Sequence, residues 1–349
     1  AYPDTWRMNV YPTRRSASYP DWVYEAVQDN ATMAEVIAAG RGGVANASIG
    51  PPFPIPGSGV EVIWNHNLRW RGVRVDRING TAAVTRLGNY RVILSLQDIG
   101  APYASRRETA FKRKHPNIMF ALKSKTLAPS LLSGDGTLVI EPIDQTDDPR
   151  KAWIYSRALR RVLRLPYFAY AFPAPNSESL ATIDDSGLFN GPPERFTWKL
   201  LGKRELYIPY NAYRLHSNEA GPDDILRIGH IEADLARYEL HRVWAVEGIL
   251  KNGSQHVYSK RVFYVDEDSW QIAVADSFDL EGKLWRVNEA HAINYYDVPV
   301  LWETLQVFHD LEQRRYFVNG LDNGARPPRF AEDADPREFS PNALLYYIR

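Results

Sequence analysis

Residues 264–287, YVDEDSWQIAVADSFDLEGKLWRV, carry two acidic knots, Asp266-Glu267-Asp268 and Asp276 to Glu281. Carboxylates this dense are the material of general acid–base pairs and of oxygen-ligated metal sites. A calcium loop needs a tighter register, D-x-D-x-D-G, which is missing here. "DEDS" and "DLEG" instead each follow one apolar run and precede another, with Gly282 placed where a positive φ is expected. Asp side chains bond nearby backbone N–H groups in turns, so the spacing assigns these acids to turns joining three strands, and no metal is expected.

The histidines offer two further constellations. Glu239 and His241 lie two apart on a strand-like run, on one face with Arg237 and Glu247. They could build a metal or general-base site, although a solvated strand face with charge pairs is the commoner outcome. His291 and Asp297, six apart in "EAHAINYYDVP", could cooperate across a turn, against the commoner buried histidine bonded to backbone. No G-x-S-x-G, H-E-x-x-H, P-loop or C-x-x-C occurs, and Gly57-Ser58-Gly59 and Gly134-Asp135-Gly136 are short turns. The expectation is therefore a non-enzymatic protein with no catalytic residue, no metal and no cofactor. A hydrolase using Glu239, His241 or His291 is the alternative.

Aromatic side chains are the remaining resource: 10 Trp, 20 Tyr and 13 Phe beside 3 Met. Trp64, Trp70, Trp153, Tyr155, Tyr207, Trp244, Phe263 and Trp285 are spread over many segments. In "WQIAVADSF" strict alternation puts Trp270, Ile272, Val274 and Phe278 on one face. A concave sheet lined by these twelve side chains would suit an apolar or amphipathic ligand. Ordinary packing beneath helices competes with that reading on equal terms. Flat, exposed rings would favour a third possibility, a glycan-binding or envelope-assembly protein.

The elements that must position these residues change character along the chain. In residues 1–72, Asp21 can cap "DWVYEAVQ", and Thr32 with Glu35 reads as a capping box opening a helix "TMAEVIAAG" closed by Gly40. Val60, Ile63, Trp64, Asn67 and Leu68 recur at helical spacing, with Ser58 as cap and Gly72 as stop. From about residue 73 the period becomes two, as in "NYRVILSL" and "NIMFALKSKTLA". Short turns between such runs imply antiparallel neighbours. Residues 166–194 read as a long loop lying on the sheet, and residues 322–349 as a surface tail. No composition break divides the 349 residues, so a single domain is expected: a helix- and loop-rich part and lid (1–72), a curved antiparallel sheet (73–321) and the tail.

Lys+Arg and Asp+Glu both total 42, which argues against nucleic acid as partner and supplies no polybasic membrane segment. The chain has no cysteine, so neither a disulfide nor a Cys-ligated metal is available, a composition that fits an extracytoplasmic protein. No run approaches 18 apolar residues. The start at Ala1-Tyr2-Pro3 reads as a chain whose targeting segment has been removed.

The runs "VYPTRRSASYPDWVYEA", "PFPIPGSGVEVIWNHNLRWRG", "WKLLGKRELYIPYNAYRLH", "ARYELHRVWAVEG" and "RVFYVDEDSWQIAVADSFDLEGKLWRVNEAHAINYYDVP" resemble a Gram-negative family that carries a domain-of-unknown-function label. That family is described as outer-membrane lipoprotein-sorting-like, and the resemblance covers nearly the whole chain. It implies an α+β, mainly β fold: a large curved antiparallel sheet, the half-barrel of the LolA/LolB carriers, with helices covering the concave face. It also implies a periplasmic, possibly outer-membrane-associated carrier for lipid, lipoprotein or another hydrophobic cargo. An RND-type inner-membrane transporter and an outer-membrane protein are the implied partners.

Overall fold

The computed structural model describes residues 4–38, 43–146, 148–165 and 170–348. The N-terminal part contains β1 (Val10–Tyr11), α1 (Asp21–Met33), a two-stranded ribbon of β2 (Glu35–Val36) and β3 (Val44–Ala45), and α2 (Gly59–Leu68). Then come β4 (Arg74–Val84), β5 (Ile93–Gly100), α3 (Ala110–Lys114), β6 (Ile118–Ala128), β7 (Gly136–Pro142), β8 (Lys151–Ser156) and β9 (Arg161–Leu165). After an irregular segment the chain forms β10 (Phe196–Pro209), α4 (Pro222–Ile225), β11 (Tyr238–Leu250), β12 (Lys260–Asp266) and β13 (Ile272–Phe278). It closes with β14 (Leu284–Tyr295), β15 (Val300–Asp310), β16 (Arg315–Asn319), β17 (Arg329–Ala331) and α5 (Pro341–Ile348).

β4 to β9 form one antiparallel meander and β10 to β16 a second, each strand bonded to its sequence neighbour as short connections require. They join at one seam, where β16 and β17 both pair with β4, Thr81 facing Asn319 and Val75 facing Phe330. At this seam backbones approach too closely for a side chain. A Cβ on Gly80 would lie 2.3 Å from the Leu321 carbonyl oxygen. β1 adds in parallel to β11. The fifteen-stranded sheet stays open, with β9 at one edge and β10 at the other.

Its curvature follows from what α2 touches. Val62 and Ile63 pack on Val246 and Phe263 of β11 and β12, while Trp64 and Leu68 pack on Met119 and Phe120 of β6. Strands so far apart in sheet order can meet one short helix only if the sheet curls around it, so α2 lies on the concave face. The mainly β half-barrel with a helix inside it is the architecture expected. As predicted, Ser58 caps α2, its Oγ accepting the Glu61 N–H at 3.4 Å. The helix ends at Leu68, before Gly72, because Arg69 turns to extended backbone.

Three expectations fail. α1 runs through Thr32 to Met33, where Thr32 Oγ1 donates to the Asp29 carbonyl as an interior residue; Glu35 then starts a strand, so no capping box opens a second helix there. Gly40 lies outside the described residues. Residues 322–349 are no surface tail: β17 extends the seam, and Leu344 and Ile348 of α5 pack with Phe111, Ala121 and Leu138 on the convex face. The alternation in β13 breaks as well. Tyr264 pairs with Val274 but Val265 pairs with Ile272, leaving Ala273 as an extra residue. Such a bulge re-aims the side chains beyond it. Ile272 therefore joins Trp270 and Ala275 inside the barrel, whereas Val274 packs with Tyr264 on the other side.

Candidate functional site

The concave face is covered unevenly. Over β11 to β15 it is filled by α2 and by residues 180–196, whose Leu188, Phe189 and Phe196 pack with Phe263, Val265 and Ile272. Between β4 to β6, β15, the end of α2 and the cover, it leaves a cavity of about 140 Å³. Val75, Ile99, Met119, Phe120 and Leu122 form its apolar floor, and Arg69, Arg71, Arg77 and Glu303 stand along one side. Gly72 also lines a second, neighbouring space, a rim cleft of about 610 Å³ walled by Trp22, Trp70, Val73, Val298 and Phe330. Arg106, Arg107, Asp297 and Glu332 ring the cleft. Gly72 (φ +87°) stands between the two spaces in a conformation that residues with a Cβ rarely adopt.

The filled half is held by buried charges. Asp185 accepts hydrogen bonds from Arg261 Nη2 (2.6 Å), the Thr182 N–H (2.8 Å) and the Tyr258 hydroxyl (2.9 Å). Asp184 is fully buried and meets His256 Nε2 and Arg195 Nη2, each at 3.1 Å. Burial alone would raise the Asp184 carboxyl, but His256 and Arg261 hold it well below the usual carboxylate range. His66 ties α2 to this cover. Burial, with Arg69 beside it, drives the His66 imidazole well below its usual value. The neutral ring accepts the Ile272 N–H at Nδ1 (3.0 Å) and donates from Nε2 to the Phe189 carbonyl (3.1 Å). Arg69 donates to Glu303 (2.6 Å) and to Gln271, joining the helix end to β15 and to the start of β13.

Of the twelve aromatic and aliphatic candidates, only Trp70 lines either space, in the rim cleft. Trp244, Phe263, Trp270 and Ile272 do come together, with Trp244 stacked on Trp270 at 6.4 Å, but they are packed beneath α2 and the 180–196 cover. Trp64 is core against β6. Trp153 and Tyr155 pack under α5 on the opposite face, and Tyr207 is exposed. Val274 is likewise on the convex side. Phe278 sits under the Lys260 ammonium, and Trp285 donates to Asp310 beneath the Arg286 guanidinium.

The acidic turns behave as their spacing predicts except at Asp276, which is a residue of β13 paired with Val262 and Val287 and accepts from the Tyr264 hydroxyl. Asp279 Oδ1 accepts the N–H groups of Glu281 and Lys283, and Gly282 has φ +81°. Asp266 Oδ2 accepts the Ser269 N–H and hydroxyl. Glu239 and His241 are buried, not solvated: Glu239 accepts from Arg14 N–H (2.6 Å), Arg237 (2.8 Å) and Asn211 (2.9 Å). His241 stacks on Tyr210 at 4.1 Å, with Nδ1 3.3 Å from Asp266. Glu239 and Asn211 hold Arg14 and Ser16, and neither Glu239 nor His241 lines either space. His291 is fully buried on β14, 3.9 Å from Glu289, and burial pushes its imidazole down to about 3. Asp297 stands apart at the rim cleft, so the two do not cooperate.

Arg69, Arg71, Arg77, Glu303, Trp22 and Phe330 were not singled out by the residue pattern. Arg69-Trp70-Arg71 was visible in "NLRWRG", but spacing does not tell that two arginines at a helix end turn inward.

Residues 1–345 match the family described as Protein of unknown function (DUF1329). The chain belongs to the DUF1329 family. Over 344 residues it is 42% identical to the uncharacterized protein PA3922 of Pseudomonas aeruginosa, covering 98% of this chain and 75% of that protein. Among solved structures, a domain from Vibrio parahaemolyticus described as outer membrane lipoprotein-sorting superposes with a TM-score of 0.55 at 14% identity, over 82% of this chain and 98% of that one. A DUF1329 family protein from Desulfovibrio piger gives 0.53 at 13% identity, over 78% and 92%. These likenesses establish a shared sheet architecture. No helix among the described residues is long and apolar enough to cross a membrane.

Proposed function

We propose that this DUF1329 chain is a non-enzymatic periplasmic binding protein that holds an amphipathic ligand, a lipid or the acyl chain of a lipoprotein, on the open half of its concave face. The observation that carries this is the adjacency of two spaces on either side of Gly72: an apolar-floored inner cavity and a wide aromatic rim cleft. The cleft falls in the size range of small-molecule sites, roughly 300–1,000 Å³. Each CH₂ taken from water contributes about 0.8 kcal/mol, so a tail of about ten carbons gains on the order of 8 kcal/mol before ordering costs. The likeness to a lipoprotein-sorting domain supports the reading. So does the placing of Glu239, His241 and His291 away from both spaces, where they would not touch a ligand held there. In this view the rim is where a carrier would exchange cargo with the RND-type transporter and outer-membrane protein that the family resemblance implies.

The test is native mass spectrometry and organic extraction of the purified protein, followed by titration of the stripped protein with twelve-carbon amphiphiles, an approximate match to the cleft's volume. Wild type should carry or take up a lipid, and Val298→Trp, which fills the cleft from its wall, should weaken uptake while leaving the unfolding midpoint in place. A wild-type protein that carries nothing and takes up nothing refutes the proposal.

A further inference from the structure

Three guanidiniums, Arg69, Arg71 and Arg77, line the inner cavity against one carboxylate, Glu303, leaving two positive charges in excess. Arg69 is committed to the fold through Glu303, Gln271 and the His66 carbonyl. Arg71 is about one-third exposed, and its only ion-pair partner among the described residues is Glu303, at 3.6 Å, which Arg69 already engages. Arg77 donates from Nε to Gln97 Oε1 (2.9 Å) and lies 5.2 Å from the Trp302 ring centre. Among the described residues no carboxylate forms an ion pair with it. Glu303 and, less strongly, Asp322 act on Arg77 from further off; Glu303 is already engaged by Arg69 at 2.6 Å and Asp322 by His216 at 3.2 Å. Burial pulls the Arg77 guanidinium below its usual value, and the neighbouring Arg71 charge adds to the effect.

The amides of the cavity wall point the same way. Gln306 uses its carbonyl oxygen to accept the Gly187 N–H (3.2 Å), and Asn319 uses its own to accept from Asn79 (2.9 Å). What these two side chains have left to offer are N–H donors. A pocket with surplus cations, spare donors and an apolar floor matches an acceptor-rich anion on an apolar body.

We propose that the inner cavity is an anion subsite in which Arg71 and Arg77 bind the carboxylate or phosphate head of the ligand, with the tail passing Gly72 into the rim cleft. This rests on the binding reading above and narrows its ligand to anionic amphiphiles. Guanidinium forks match both oxyanions in bidentate geometry, so the shared chemistry is the anionic head itself.

The experiment compares the stripped wild-type protein with Arg71→Gln/Arg77→Gln and Arg71→Lys/Arg77→Lys, by calorimetric titration. The probes are dodecanoate, dodecyl phosphate, neutral dodecyl maltoside and inorganic phosphate. Losing two charge-assisted contacts, each worth about tenfold or more, should weaken the two anionic amphiphiles by roughly a hundredfold or more in the Gln variant. The Lys variant should recover part of the loss, and dodecyl maltoside should bind all three proteins alike. Inorganic phosphate binding wild type as tightly as dodecyl phosphate would overturn the amphiphile assignment in favour of a free-anion site. Equal loss for neutral and anionic probes, or no loss at all, overturns the anion subsite while leaving the binding function intact. Failure of every amphiphile to bind wild type overturns both. Circular dichroism and the thermal midpoint establish that the variants fold.

Discussion

Arg261→Met tests whether the 180–196 cover is held by its charges. Arg261 is fully buried and donates to Asp185 at 2.6 Å and to the Leu188 carbonyl at 2.9 Å, with Nη1 3.4 Å from Asp184. Methionine approximates the length of the side chain but leaves two buried carboxylates short of a cation. Asp184 keeps His256 and Arg195, and Asp185 keeps Thr182 and Tyr258, so neither becomes an orphan. Removing one partner of a buried pair costs about 3–5 kcal/mol, and the surviving partners put the expectation near the lower end. The assay is urea unfolding followed by tryptophan fluorescence, with unchanged m-value required for a two-state reading. Hydrogen exchange supplies the local part. The amides of Gly187 and Asn190, which bond to Gln306 and to the Asp184 carbonyl, should exchange faster in the variant by more than the global loss explains. A loss under about 1 kcal/mol, the range of a surface pair, with those amides as protected as in wild type, would refute the view that ions pin the cover.

Burial pushes the Glu289 carboxyl up to about 7, so its protonated form belongs to the folded state. Its contribution is full below the unfolded value of 4.5 and is lost as pH rises through 7. Glu289→Gln should remove up to roughly 3 kcal/mol of stability decline over that window, measured by urea midpoints from pH 4.5 to 8. Gly80→Ala should cost about 1–3 kcal/mol by overpacking the seam, read as a lower urea midpoint. Leu344→Ala, in a fully buried position of α5, should cost about 2–5 kcal/mol; a change within error would mean that the C-terminal helix is not part of the core. Glu239→Ala, which removes the acceptor of the Arg14 N–H, should expose residues 14–16 to faster proteolysis without altering ligand uptake, and unchanged cleavage there would count against Glu239 holding that segment.

The sheet was legible because alternation over a half-buried strand is a local property. "NIMFALKSKTLA" announces β6, and the turn residues Asp279 and Gly282 mark where β13 ends. What escaped was non-local. The bulge at Ala273 is a single residue's offset against β12, invisible in β13 alone, and it divides a face that alternation had united. Thr32 to Glu35 satisfies the capping-box pattern, yet helix α1 extends through Thr32 and the β2–β3 ribbon takes Glu35. Rings gave a poor guide to the site for the same reason. Phe263 and Trp270 are packed because α2 and residues 180–196 fold over them, whereas the open floor is built from Val75, Ile99 and Leu122, ordinary residues of ordinary strands. The inner arginines were hidden because composition predicts solvent for arginine, and only the end of α2 and the curl of β4 turn Arg69, Arg71 and Arg77 inward.

The single seam between the two meanders also dictates an order of events in folding. Within each meander every strand pairs with its neighbour in sequence, so both can form from short-range closures. β4 then waits for β16, whose Asn319 meets Thr81 only after the intervening chain has been made. During synthesis the first meander therefore emerges with β4 as an exposed edge and with Val75 and Ala82 uncovered, until the last strands arrive. An unpaired edge is a template for the wrong partner. The half-barrel is thus at its most vulnerable just before completion, and seam substitutions should slow refolding and promote aggregation beyond what their equilibrium cost alone would produce.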